Sequence, residues 1–275
     1  MDVRVLTVRL FDAHCHLQDA ALAPRLDRLL AAARADGVTG WSCCGVREDD
    51  WDAVLDIARR HEGVVPSFGL HPAYLRDRRA GWQDRLAGRL TGHPAAGVGE
   101  VGLDRAKEGL LPLEDQEAVL REQVALARDL GRPVTIHGVR AWSRVIEILR
   151  PFGPHRAGIV CHAFGGPADL VGPLAALNAR FSFGGTVTRT HARRIHDAAR
   201  AVPLDRLLVE TDAPDLAPIG EHGLERGPDG RPVNEPRTLR VVVATLAAVR
   251  QEAPEVTAEA TAENARALFA KAFSS

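Results

Sequence analysis

His14 and His16 stand two residues apart in Phe11-Asp12-Ala13-His14-Cys15-His16-Leu17, directly after the apolar run Val3–Leu10. Strand side chains alternate faces, so both imidazoles project to one side and supply half of a metal site. Two histidines at this spacing are weak on their own; the rest of the chain supplies their company. Glu100 lies in Gly97-Val98-Gly99-Glu100-Val101-Gly102-Leu103-Asp104, His137 ends Pro133-Val134-Thr135-Ile136-His137, and His162 follows Val160-Cys161. Asp212 falls in Leu208-Val209-Glu210-Thr211-Asp212-Ala213-Pro214. Four imidazoles and two carboxylates exceed what one ion takes from a protein and point to two ions sharing a bridge, roughly 3.5–4 Å apart. Glu100 is the natural bridge, since a carboxylate has two oxygens and a negative charge to set between cations. Paired ions of this kind make water acidic and neutralise charge on a phosphoryl group.

Ligands so dispersed must be brought together by regularly repeated elements. β-type runs occur at Val5–Asp12, Val38–Cys43, Val64–Gly69, Ala96–Val101, Pro133–His137, Gly158–Cys161, Arg180–Phe183 and Leu207–Glu210. Helical segments with apolar spacing near 3.6 lie between them, such as Leu113-Gln116-Leu120-Val124-Ala127-Leu130. Eight strands each followed by a helix predict a (β/α)8 TIM-type barrel, regular or distorted, spanning 1–275 as one domain. A last helix, Ala258–Ala272, has no strand after it. An open doubly wound sheet is the structural alternative, but no Gly-rich phosphate loop follows the first strand. In a barrel the strand C-termini converge on one mouth, where the six ligands would meet.

Composition narrows the function classes. A formal net charge of −1 argues against a broadly basic nucleic-acid surface, so any such contact is confined to a cleft. No 18-residue uncharged apolar run or signal-peptide pattern is present, which predicts no membrane partner and a cytoplasmic location. Cys15, Cys43, Cys44 and Cys161 lack CxxC spacing and read as buried reduced thiols. The four tryptophans form no stacking stripe for single strands.

With these residues in hand, the chain resembles the TatD family of metal-dependent deoxyribonucleases, within the amidohydrolase-like metallohydrolases. The resemblance runs from Asp12 to about Asn264 and rests on Phe11–Leu17, Gly69-Leu70-His71-Pro72, Gly99–Asp104, His162–Gly165, Phe183-Gly184-Gly185, Glu210–Pro214, Leu216-Ala217-Pro218 and Asn234-Glu235-Pro236. It implies metal ligands at His14, His16, Glu100, His137, His162 and Asp212, the set reached above from strand ends. It implies two or three divalent ions, Mg2+ or Mn2+ by family habit; the imidazole-rich set also suits Zn2+. It implies 3′-5′ exonuclease action on single-stranded DNA, here expected of a monomer.

Asp212 and Glu100 are the expected catalytic pair, Asp212 orienting or deprotonating the attacking water. His71 and Arg140 are expected to hold the phosphate, and Glu210 and Asp104 to orient ligands. Two departures from the family pattern stand out: Arg140 sits one position further from His137 than is usual, and Asp215 replaces an aromatic residue near the mouth. His222, on the loop Ile219–Pro236, is a substrate-contact candidate. His61 reads as a residue ending a helix, His191 and His196 as helix-surface residues, and His93 and His155 as polar-loop residues. The clusters Arg76–Arg79 and His191–Arg194 read as solvated helix faces, the former near enough to line the mouth. An amide, lactone or ester hydrolase of small molecules is the alternative. Such barrels often bridge their metals with a modified lysine, whereas this strand 4 carries Glu100 and no lysine before Lys107. A non-catalytic scaffold is the third reading, disfavoured because buried ligands kept without a use cost stability.

Overall fold

The computed structural model describes residues 9–106, 110–221 and 223–270. Eight parallel strands form one sheet in sequence order: β1 (Leu10–Cys15), β2 (Val38–Cys44), β3 (Val64–Phe68), β4 (Gly97–Asp104), β5 (Val134–Val139), β6 (Ile159–Cys161), β7 (Ala179–Phe183) and β8 (Leu207–Val209). Each is followed by a helix: α1 (Leu26–Ala35), α2 (Trp51–Arg60), α3 (Trp82–Gly92), α4 (Leu113–Asp129), α5 (Trp142–Leu149), α6 (Val171–Ala176), α7 (Arg193–Ala201) and α8 (Leu239–Arg250). The TIM-type barrel expected from the alternation is the fold found.

Strand limits differ from expectation chiefly at the mouth. β4 continues three residues beyond Val101 to Asp104, because Gly102 lets it hug β5; its φ is 147° and a Cβ there would collide with the His137 carbonyl. β1 runs on to Cys15, so His14 is a strand residue and His16 the first beyond it. Its expected start at Val5 lies outside the described residues.

The strands are buried on both faces, which is why they read as apolar runs rather than alternating ones. Between sheet and helices lies the main core, holding Trp41, Phe68, Phe164, Phe181 and Phe183. A second cluster joins Phe11 and Ala13 of β1, Val65 of β3, Val160 of β6 and Leu208 of β8. Strands so far apart around the ring meet only inside it, so this cluster fills the barrel. The extra helix, α9 (Pro254–Leu268), begins with proline at its first position and adds Ala265 and Leu268 to the cluster, with Phe269 just beyond its end. Phe269 stacks on Phe11 with ring centroids 5.5 Å apart, closing the end opposite the mouth. Truncating either ring to Ala would cost roughly 3–5 kcal/mol.

No ladder pairs β8 with β1 among the described residues. The seam is closed just past the strand ends, where Asp212 N–H donates to the His14 carbonyl at 3.0 Å and His16 N–H to the Ala213 carbonyl at 2.8 Å. The buried Asp12 carboxylate adds a side-chain tie, accepting from the Thr211 N–H at 2.9 Å and from the Thr211 hydroxyl.

Candidate metal centre and active site

The mouth gathers the other five sequence-nominated ligands around Glu100. Its Oε2 lies 3.4 Å from His14 Nε2 and 3.3 Å from His16 Nε2. Its Oε1 lies 2.9 Å from His137 Nδ1 and 3.7 Å from His162 Nε2. Asp212 Oδ1 sits 3.4 Å from His14 Nε2, 3.5 Å from His16 Nε2 and 3.8 Å from His162 Nε2. The two oxygens of one carboxylate thus face two different groups of imidazoles. His14, Glu100 and His162 form a buried floor, while His16 and His137 keep side-chain exposures of 15%, leaving the centre open on their side.

The partners of His16 and His137 assign the protons of those two rings. His16 Nδ1 donates to the Cys44 carbonyl at 2.9 Å, so its Nε2 lone pair faces the carboxylates. His137 Nε2 faces Asp104 Oδ2 at 3.4 Å, freeing Nδ1. His162 Nδ1 lies 2.9 Å from Glu210 Oε1, although not in hydrogen-bond geometry, and its Nε2 faces Glu100 and Asp212. Glu210 is itself held by the Ala163 N–H at 2.9 Å and by the Ser182 hydroxyl. Asp104 and Glu210 therefore stand where the sequence put them, behind imidazoles.

These assignments leave lone pairs converging without protons between them. Glu100 Oε1 is buried with no hydrogen-bond partner, although His137 Nδ1 is only 2.9 Å away. Two electron-rich atoms at that distance repel unless a cation lies among them, so the donor set fits divalent metal. The electrostatics agree. Although burial opposes ionisation, His71, His162 and His14 hold Glu100 well below the usual carboxylate range. Burial likewise disfavours charge on His162, yet Glu210, Asp212 and Glu100 raise it to about 10. Burial and then the neighbouring His162 ring, its centroid 3.8 Å away, push His14 down.

His71 differs from the others. Its Nε2 lies 3.6 Å from Glu100 Oε1, close enough to form a triad with Glu100 and His137. Its Nδ1, however, accepts the Ala73 N–H at 3.0 Å, so in the neutral ring the proton sits on Nε2. A protonated nitrogen is a donor and not a ligand, which suits His71 to an anionic oxygen. Arg140 is exposed on a bend with φ 53°, and its side chain makes no hydrogen bond or ion pair with the cluster among the described residues. Asp212 has φ 56°, a left-handed conformation that aspartate tolerates better than most residues, and Ala163 behind His162 has φ 41°. Asp215 is exposed and donates its N–H to the Asp212 carbonyl at 2.7 Å. His222 lies outside the described residues.

Sequence reasoning overlooked the groups that carry the loops. Gln123 of α4 accepts the Leu70 N–H at 2.8 Å and donates back to the Leu70 carbonyl, fixing the His71 loop. Gln116, seven residues earlier on the same buried face, does the same for Asp104 at 2.9 and 3.2 Å. A polar residue within the apolar stripe of α4 was the available signal. Asn234 Nδ2 donates to the Thr211 carbonyl at 2.7 Å, supporting the Asp212 turn. Gly185 approaches so closely that a Cβ would collide with the Leu216 carbonyl, which ties the Phe183–Gly185 motif to Leu216–Pro218. All four cysteines are free and buried, matching the expectation of reduced thiols. His155 lies in the loop expected of it but is buried at 2% exposure, because the chain folds it beneath Leu177, whose carbonyl accepts its backbone N–H at 3.0 Å.

A barrel whose mouth carries this His/Glu/Asp centre is that of a metal-dependent hydrolase. The family model described as TatD related DNase matches residues 11–270, and the chain belongs to that family. It is 33% identical to the uncharacterized metal-dependent hydrolase YcfH of Escherichia coli, over 94% of this chain and 95% of that one. It is also 33% identical to the 3′-5′ ssDNA/RNA exonuclease TatD of Erwinia amylovora, over 94% and 99%. Among solved structures, the TatD homologue YjjV of E. coli superposes with a TM-score of 0.88 at 28% identity, covering 96% of this chain and 98% of that one.

Proposed function

We propose that this protein is a divalent-metal-dependent phosphodiesterase that trims single-stranded nucleic acid, DNA foremost, from its 3′ end. The observation that carries the reading is the placement of Glu100, with Oε2 toward His14 and His16 and Oε1 toward His137 and His162. A carboxylate bridge of this kind suits two ions on either side of a phosphoryl group. The name borne by the Erwinia relative and the family description support the substrate class.

His14, His16 and Asp212 would hold one ion, His137 and His162 the other, with Glu100 between. Bound divalent ions would supply Lewis acidity for water and for a phosphodiester oxygen. Asp212, whose Oδ1 faces His14 and His16, orients the attacking water and takes its proton. His71 donates its Nε2–H to a non-bridging phosphoryl oxygen, held to that task by its Nδ1 bond to Ala73. Asp104, Glu210 and the Cys44 carbonyl keep the ligating nitrogens deprotonated and aimed. We further propose that Mg2+ or Mn2+ serves in the cell although the imidazoles bind Zn2+ more tightly, and that the enzyme works in the cytoplasm.

The test is cleavage of a 5′-labelled single-stranded DNA by purified protein, stripped by chelator and then given Mg2+, Mn2+ or Zn2+. Metal-restored stepwise shortening from the 3′ end is the expected result. Bound metal without cleavage of any diester would overturn the proposal and favour a small amide or ester substrate.

A further inference from the structure

A cleft of about 260 Å³ is lined in part by Arg105, Arg140, Arg144 and Arg194 together with Trp142 and Gly165–Gly166. Its arginines come from three regions: the end of β4, the turn around β5 and α5, and α7. They are not equivalent. Arg144 is spoken for, its guanidinium bridging both Glu117 oxygens at 2.5 and 2.6 Å and Glu147 at 2.5 Å. Arg105, Arg140 and Arg194 are exposed and make no ion pair among the described residues. Three guanidinium groups that lack an ion pair among the described residues repel one another on one small cleft, and an anion relieves that repulsion. The indole N–H of Trp142, on the same wall, is buried without a hydrogen-bond partner. Gly165 and Gly166 add backbone free of side chains.

The cleft adjoins the catalytic mouth through the chain itself. Arg105 directly follows Asp104, Arg140 is the third residue after His137, and Gly165 the third after His162. Three residues span at most ~11 Å. Planar guanidinium forks match phosphate oxygens better than any other protein cation.

We propose that this cleft is a subsite for a second phosphate of the substrate, one linkage removed from the bond that is cut. The inference rests on the phosphodiesterase reading and deepens it: the preferred substrate carries at least two phosphates. The second phosphate is either an internal linkage of an oligonucleotide or a terminal monoester.

The test compares kcat/KM for dTpdT, for pdTpdT, and for dTpdTpdT with either a natural or an uncharged methylphosphonate inner linkage. The protein should favour the substrates with a second charged phosphate about tenfold, the gain expected of one good arginine–phosphate contact. An advantage of pdTpdT alone assigns the subsite to a terminal monoester; an advantage of the natural trinucleotide over its methylphosphonate analogue assigns it to a linkage. In the double variant Arg105→Gln/Arg194→Gln the advantage should shrink to about twofold or less. Hydrolysis of dTpdT with no gain from a second phosphate would overturn the subsite and spare the phosphodiesterase. A gain that survives in the double variant would also overturn it. If no diester is cut, the phosphodiesterase reading fails, and binding of fluorescent (dT)6 in chelator decides the subsite separately. Weaker binding and a shallower salt dependence in the double variant support it; equal binding by both proteins rejects it.

Discussion

Two buried histidines at different places in this barrel show what burial does and does not accomplish. His155 has neither ring nitrogen hydrogen-bonded, and burial, aided by Arg128, pushes it down to about 4. His162 is equally enclosed, but Glu210, Asp212 and Glu100 overcome the burial penalty and raise it to about 10. The same side chain is forced neutral in one region and prepared for positive charge in the other. Enclosure alone yields an inert imidazole; enclosure among oriented carboxylates yields a centre that attracts cations, protons or metals alike.

The contrast can be broken most severely at the mouth. Asp212→Asn keeps the residue's size and its tolerance of φ 56° while removing the negative charge. Phosphodiester hydrolysis should fall roughly 10³-fold with the unfolding midpoint nearly unchanged. Activity close to that of the unaltered protein would exclude Asp212 as ligand and base.

The opposite pole is tested by pH. His155 has a folded pKa of about 4 against roughly 6.5 in the unfolded chain, so the unfolded state takes up the proton first as pH falls. Its contribution is complete above pH ~6.5 and is lost progressively toward pH ~4, amounting to about 3 kcal/mol. Urea unfolding at a series of pH values should show that His155→Leu lacks this part of the acid destabilisation. Parallel pH profiles for the two proteins would contradict the assignment.

A third variant makes His162 more like His155. Glu210→Gln removes the carboxylate 2.9 Å from His162 Nδ1. Metal affinity, measured by competition with a chromogenic chelator, should drop about 10- to 100-fold. The smallest expected effect belongs to a neutral support. Gln123→Leu strands the Leu70 N–H and carbonyl and should cost about 2 kcal/mol in thermal or urea unfolding. It should also lower kcat more than it raises KM, because His71 loses its anchorage.

How legible these features were depended on how local their causes are. The barrel was readable because each strand and helix carries its own periodicity, and His14, Glu100, His137, His162 and Asp212 could be nominated because each sits at the end of such a run. The length of β4 was not, since Gly97, Gly99 and Gly102 weaken a strand pattern while permitting close approach to β5. The burial of His155 was hidden for a related reason: Gly153-Pro154-His155-Arg156 has a loop's composition and is a loop, and only the fold tucks the imidazole under Leu177. Arg105, Arg140 and Arg194 lie far apart in the chain, and no linear pattern announces that they share a cleft.

The seam between β1 and β8 gives the mouth a second meaning. Asp12 and Thr211, whose bond closes the ring, are 199 residues apart. His14 and His16 stand on one side of that join and Asp212 on the other. A cation shared by these three would work as a rivet through the first and last staves of the barrel, closing a loop of more than two thirds of the chain much as a distant cross-link does. Loading with metal should then slow amide exchange along β1 and β8 more than along β3 or β4. The atoms proposed to cut the substrate would also be those that keep the protein's two ends from parting.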